Sequence, residues 1–392
     1  MRILSIFTSF TNGGAEILVS NLSGAFAQAG HRSTVAALSR AAAVGNDPAT
    51  ERAICERIAG EGGHPRILAL RRRGNLPAGA LAVRRLIAEE RPDVIHAHTA
   101  RALPMLWLAG ARCPVVLTHH NSRLSFPPLL FRLFDRIVDR YVAISHDCER
   151  MFGGHANRPV TQIVNAAGAG FLATAGRTAP ADPATILAVG ALTEQKNYAM
   201  LIEAAAHLRH RCGARHRFHL RIAGDGALMA SLRQRIAALQ AGPFVELLGN
   251  RSDVADLMRG ADIFVNSSHY EGMPIAMLEA LQSALPVVAT DVAGSRELIT
   301  TGRNGLLARP DDPEALAVAL FELLSQPDLY RRMSAAALDE GRRYDLGTCA
   351  CAHLAMYRQL LRPVPERPAR AALRFGRVQP LAPRAAKSVQ RD

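Results

Sequence analysis

Two glutamates, Glu271 and Glu279, stand eight positions apart in "SHYEGMPIAMLEA" (268–280), the first in a Gly/Pro turn and the second inside an apolar run that reads as buried helix. Pro274 fits the first turn of that helix, where its missing amide would be unpaired anyway. Gly272 and Met273 then present backbone donors at the positive helix end. A carboxylate at Glu271 can accept hydrogen bonds from sugar hydroxyls, and Glu279, about a turn and a half further in, can reach the two hydroxyls of a ribose. The alternative for Glu279 is a structural ion pair with an arginine. Lys196 in "VGALTEQKN" (189–197) is the next candidate. Of 47 basic residues only Lys196 and Lys387 are lysine, so a compact point charge suited to a phosphate stands in a chain that otherwise uses arginine. A stray surface lysine is the competing reading. Histidines close two further apolar runs: His96 and His98 in "DVIHAHT", His119 and His120 in "PVVLTHHN".

These residues all follow short apolar runs that alternate with helical patterns. The first half reads "RILSIFTS", a helix over 15–30, "STVAALS", a helix over 77–90, "DVIHAHT", a helix over 102–109, "PVVLTHH" and a helix over 128–140. After "LATAGRTAPADPAT" the alternation restarts: "TILAVGAL", helix 198–211, "FHLRIAGDG", helix 228–240, "FVELLGN", helix 253–259, "DIFVNSS", helix 274–284 and "PVVATD". Such β-α alternation predicts parallel sheets wrapped by helices, here twice, with the Ala/Thr/Gly/Pro-rich stretch as linker. Ligands of open parallel sheets sit beyond the carboxyl ends of the strands, where helix N-termini aim free amides at anions. Gly13, Gly14, Gly190, Gly224, Gly249 and the residues above occupy those places.

The totals fit a folded protein of two α/β domains: 392 residues, 49% hydrophobic and 21% charged. "MRILSIF" reads as a first strand rather than a signal peptide. No apolar stretch reaches the roughly 18 to 20 residues that span a bilayer. The formal charge of +13 is uneven, with 20 Lys+Arg against 12 Asp+Glu in residues 1–170, 19 against 20 in 171–361, and 8 against 2 in 362–392. A basic first half and tail predict contact with an anionic surface, unless the arginines reflect a compositional bias. Six scattered cysteines lack zinc-site spacing, no D-x-D is present to hold a diphosphate-bridging metal, and "AGDGALM" lacks the third glycine of a nicotinamide-binding loop. Aromatic residues at 5%, with no stacking platform, argue against nucleic acid.

The run E-G-x-P-x-x-x-x-E resembles the E-x7-E signature of the retaining nucleotide-sugar glycosyltransferases of family 4, which have the GT-B fold: two Rossmann-like domains facing across a cleft, with a C-terminal helix returning to the first. Further motifs agree in order over about residues 1–361. "VGALTEQKN" is similar to the phosphate-binding V-G-R-L-x-x-x-K-G, which implies Lys196 beside the donor diphosphate. Ala191 and Asn197 depart from that motif, so a phosphate contact is absent or comes from Arg251 or Arg296. "TNGGAE" resembles the glycine-rich first loop, and "PVVLTHHN" the strand end with the catalytic-site histidine, His120 by register and His119 after a one-residue slip. "IVNAAG" (163–168) matches the I-x-N-G-V segment at Asn165, and "AGSRELI" brings Glu297 near the nucleotide.

The resemblance implies catalytic residues His120, Glu271 and Lys196. It implies a donor site of Gly14, Gly190, Lys196, Gly224, Gly249, Glu271, Gly272, Met273, Pro274, Glu279 and Glu297, and acceptor contacts from Gly13, His98 and His119. Satisfied structural histidines are the competing reading for His96 and His98. The implied domains are 1–171 for the acceptor, a linker over 172–183, 184–344 for the nucleotide sugar, a returning helix over 345–361, and a disordered basic tail over 362–392. No metal or other cofactor is expected, and transfer would proceed with retention from a nucleoside-diphosphate sugar. A helix over 128–140 would carry Arg132, Arg136 and Arg140 beside Leu129, Leu130, Phe134 and Ile137; it could sit on a lipid surface, and an ordinary packing helix with a solvated arginine face is the competing reading. With Arg71–Arg73 and the tail it points to peripheral contact with the cytoplasmic face of the membrane and a lipid-linked acceptor of surface polysaccharide synthesis. A soluble acceptor, a nucleotide-sugar epimerase and a phosphorylase are the other readings of the same cleft.

Overall fold

The computed structural model describes residues 1–362 except 12, 45, 46, 71–74, 121–123, 125 and 214–216. Arg71–Arg73 and the tail beyond Arg362 therefore lie outside the described residues. The first lobe runs β1 (Arg2–Phe7), α1 (Gly14–Gln28), β2 (Arg32–Ala37), α2 (Pro48–Gly60), β3 (His64–Ile67), α3 (Leu76–Glu90) and β4 (Val94–Ala97). It continues with α4 (Ala102–Ala109), β5 (Val115–Thr118), α5 (Phe131–Phe134), β6 (Arg140–Ala143), α6 (His146–Gly153) and β7 (Val160–Gln162). The second opens with β8 (Ala184–Val189), α7 (Tyr198–Cys212), β9 (Phe218–Ala223), α8 (Met229–Ala238), β10 (Val245–Gly249), α9 (Val254–Gly260) and β11 (Ile263–Asn266). It closes with α10 (Ile275–Gln282), β12 (Val287–Thr290), α11 (Ala293–Arg296), β13 (Gly305–Ala308), α12 (Pro313–Ser325), α13 (Pro327–Gly341) and α14 (Leu346–Leu361).

Both sheets are parallel and doubly wound, ordered β3-β2-β1-β4-β5-β6-β7 and β10-β9-β8-β11-β12-β13. Strand order reverses between β1 and β4 and again between β8 and β11. The inner strands are apolar on both faces, as burial under two helical layers requires: Val94–Ala97, Val115–Thr118, Ile263–Asn266 and Val287–Thr290 are buried throughout.

The helix α2 falls in a stretch the sequence reading leaves unassigned. Its start is nevertheless encoded, since Pro48 occupies the first turn and Asp47 caps it, accepting from Ala49 N (3.0 Å) and Thr50 N (3.3 Å). The expected helix over 128–140 is corrected. The chain is helical only over 128–134, a 3-10 turn (Pro128–Leu130) running into α5, and Arg140 already belongs to β6, so Arg132, Arg136 and Arg140 do not share a helical face. Asp135 is the reason: its carboxylate accepts from Tyr141 Oη (3.0 Å) and from Asn157 N and Nδ2 (3.0 and 2.9 Å), and its carbonyl from Arg158 Nε (2.7 Å). Those bonds fold the segment back while Phe131, Phe134, Ile137 and Val138 fill the core around Tyr141.

The last helix, α14, packs on α1 in the first lobe, where Tyr357 and Leu354 join the core of Leu22, Phe26 and Val35. Met1–Arg362 clusters as one body holding both lobes. The lobes meet where Ile275 of α10 enters that first-lobe core and approaches Gly14. No helix among the described residues is long and apolar enough to cross a membrane.

Candidate active site

Lys196 follows β8 and Glu271 follows β11, the two strands that flank the switch point of the second sheet, so topology alone brings residues 75 positions apart to one crevice. Lys196 Nζ lies 2.6 Å from Glu271 Oε1, and Ser268 Oγ donates to the same oxygen at 2.6 Å. The loop carrying Glu271 is held from several sides. Ser267 Oγ donates to Lys196 O (2.7 Å), His269 N to Gln195 O (2.8 Å), Gln195 Nε2 to Tyr270 O (3.0 Å), and Thr290 Oγ1 to Ser268 O (2.6 Å). From the other lobe Asn165 Nδ2 donates to Met273 O (3.1 Å). With its carbonyls so anchored, the buried Gly272–Met273–Pro274 turn leads into the N-terminus of α10.

The glycines beside this pair are required by close approach. A Cβ on Gly224 would lie 1.9 Å from Gly190 O, and one on Gly226 2.6 Å from Leu192 O. On Gly190 it would meet Tyr198 Oη at 2.9 Å and Lys196 Cε at 3.0 Å. A Cβ on Gly294, at the start of α11, would lie 2.7 Å from Glu271 Cβ. Gly249 has φ +69 with nothing within 4 Å of its missing Cβ, and its carbonyl accepts from Gly224 N (2.8 Å). Its backbone therefore faces open space at the mouth of the strands.

Glu279 is buried on α10, and its pKa is pushed up to about 8, chiefly by burial and against the pull of Arg57. Glu297 Oε1 accepts from Asp147 N (3.3 Å), the start of α6, so that carboxylate caps a helix of the opposite lobe. Neither arginine considered in place of Ala191 is idle: Arg251 pairs with Asp253 at 2.5 Å and Arg296 with Asp291 at 2.6 Å. Among the described residues no three His, Cys, Asp or Glu side chains converge as metal ligands.

On the first lobe, β4 and β5 bring the histidines together. His96 is locked, with Nδ1 2.6 Å from Tyr357 Oη and Nε2 2.7 Å from Thr118 Oγ1, as a structural histidine would be. His98 Nδ1 lies 3.0 Å from His120 Nε2, which leaves His98 Nε2 and His120 Nδ1 buried and without partners. Burial drives His120 down to about 3 and His98 well below the ordinary range, so both rings are neutral near pH 7 and act as hydrogen-bonding groups rather than cations. His119 turns to Phe126, ring centroids 5.7 Å apart.

Three residues that the sequence reading did not single out belong here. Ser268 is one. Glu16, three residues past Gly13, folds back at the start of α1 so closely that a Cβ on Gly13 would lie 2.4 Å from its Oε2. Burial raises it to about 7 against hydrogen bonds from its own amide and Thr11. The third is Arg57 on α2, invisible while α2 itself is unassigned.

The sequence matches the family Glycosyl transferases group 1 over residues 174–339 and Glycosyltransferase Family 4 over residues 12–166. It is 28% identical over 258 residues, 65% of this chain and 72% of the relative, to the lipopolysaccharide core biosynthesis glycosyltransferase LpsE of Rhizobium meliloti. Identity is 36% over 155 residues to the amylovoran biosynthesis glycosyltransferase AmsK of Erwinia amylovora, a match covering 38% of this chain and 37% of that one. The latter match thus spans little more than a third of its relative. Among solved structures, Anabaena HepE in complex with UDP and glucose superposes with a TM-score of 0.76 at 21% identity, over 92% of this chain and all of that one. The shared architecture is GT-B.

Proposed function

The chain belongs to the family 4 glycosyltransferases of GT-B fold, and from that premise we propose that it transfers a hexose-type sugar, with retention, from a nucleoside-diphosphate sugar to a lipid-linked or growing polysaccharide acceptor. The observation that carries the donor reading is the Lys196–Glu271 pair at the switch point beneath the N-terminus of α10. Lys196 and the turn amides supply positive charge for a leaving diphosphate, so that no divalent ion is called on. Glu271, buried and held by Ser268, is the acceptor for sugar hydroxyls. Across the cleft His120 offers a neutral ring nitrogen to position the sugar, and the incoming hydroxyl attacks the anomeric carbon on the face from which the diphosphate leaves, its proton passing to a diphosphate oxygen as the sugar–phosphate bond breaks. HepE, crystallised with UDP and glucose, supports a nucleotide-sugar donor, and LpsE and AmsK support a surface-polysaccharide setting.

A membrane-side acceptor is favoured by one surface feature. Leu129 is 70% exposed beside exposed Arg132 and Arg136, an apolar projection among cations that suits peripheral contact with anionic lipid. The test is a thermal-shift panel of nucleotide sugars followed by nucleotide release on a lipid-linked acceptor. A donor raises the melting midpoint by binding the native state alone. Failure of every nucleotide sugar to do so overturns the reading.

A further inference from the structure

Arg57 sits on α2 in the first lobe, with Nε donating to Ser20 Oγ of α1 at 3.2 Å, which fixes the plane of its guanidinium. Its Nη2 is shut off from solvent with no hydrogen-bond partner. A buried unpaired guanidinium N–H is unfavourable and calls for an acceptor. Glu279 on α10 of the second lobe is a buried carboxyl, and Arg57 is the charge that acts on it. Each feels the other's charge, yet they do not close into an ion pair; the other charge reaching Arg57 is Glu61, one turn further along α2. An unfilled donor on the first lobe thus lies within electrostatic reach of a buried carboxyl on the second.

A second contact puts the same face of α2 on the second lobe. Thr50, seven residues before Arg57 and so on its side of the helix, receives Asn250 Nδ2 on Oγ1 at 3.3 Å, next to the open Gly249 turn. α2 therefore lies along the part of the crevice that the diphosphate-binding pair leaves for a nucleoside. We propose that Arg57 is a donor-binding residue contributed by the first lobe, and that Arg57 and Glu279 jointly hold the vicinal hydroxyls of the donor's ribose. The hydroxyl fills the space between them, donating to Glu279 and accepting from Arg57 Nη2, so the nucleoside bridges the lobes. This assignment rests on the nucleotide-sugar reading above.

Calorimetric titration of the full chain with UDP and GDP and their 2′-deoxy forms tests it, on wild type, Arg57→Met, Arg57→Lys and Glu279→Gln. Wild type is expected to bind its ribonucleotide on the order of tenfold more tightly than the deoxy form. Arg57→Met is expected to lose about tenfold for the ribonucleotide and to bind both forms within about twofold, and Arg57→Lys to recover part of the preference. A purely structural role weakens both forms alike; an unchanged preference in Arg57→Met, with or without weaker binding, overturns the assignment while leaving the nucleotide-sugar reading intact. If wild type binds no nucleoside diphosphate at all, that reading falls and the assignment with it.

Discussion

Replacing Lys196 by methionine keeps the stem and removes the charge, which isolates the electrostatic part of the site. Two unit charges about 4 Å apart attract by about 4 kcal/mol at an effective dielectric near 20. Lys196 must exchange Glu271, 2.6 Å away in the resting site, for the diphosphate, so only the difference between the two partners appears in the rate. Its side chain is 18% exposed, which admits some screening. About half the attraction, roughly 2 kcal/mol, then survives, equivalent to about a 30-fold loss of kcat/KM. The stability cost is separate. Glu271, 6% exposed, loses one of two donors and keeps Ser268, a change of about 1–2 kcal/mol. Steady-state nucleotide release, paired with a urea titration, reads both quantities. Lys196→Arg is expected to rescue the rate incompletely, because Cε already packs against Gly190 and leaves little room for a guanidinium. A Lys196→Met enzyme within threefold of wild-type kcat/KM would refute the assignment of Lys196 to the leaving group.

Glu279, about 8 in the fold against an ordinary 4.5, keeps a proton that the unfolded chain has lost, so stability falls as pH rises through that window by up to about 1.4 kcal/mol per unit. Urea midpoints from pH 5 to 8 should fall less steeply in Glu279→Gln than in wild type, and equal slopes would contradict a buried protonated carboxyl. Gly224→Ala, whose Cβ would lie 1.9 Å from Gly190 O, is expected to cost more than about 3 kcal/mol or to abolish soluble expression. Gly60→Ala, in helix with open space around it, should instead leave the melting midpoint unchanged or raised.

The legible parts of the fold were those where local pattern and tertiary demand coincide. β8, β11 and β12 are short apolar runs closed by glycine, serine or aspartate, and Pro274 marks the entry to α10, so the local pattern alone puts Lys196 and Glu271 just beyond strand ends. The 128–140 segment failed because Phe131, Phe134, Ile137 and Val138 keep a helical spacing that a folded-back turn also satisfies. Nothing local says that Asp135 will be claimed by Tyr141 and Asn157. Arg57 was hidden for the opposite reason: its helix is polar and capped rather than strongly periodic, and its meaning lies in a residue more than two hundred positions away on another lobe.

The return of α14 to the first lobe sets an order of events during synthesis. His96 completes its hydrogen bonds only through Tyr357, and Phe26 borders that tyrosine at a ring distance of 6.0 Å. At about 5–20 residues per second, the ribosome needs roughly ten to forty seconds to travel from the end of the first sheet to that helix. Throughout that interval the nascent first half carries an unroofed apolar flank. A chain severed at the linker should thus yield a sticky fragment rather than a self-sufficient half, and α14 supplied in trans should be what quietens it.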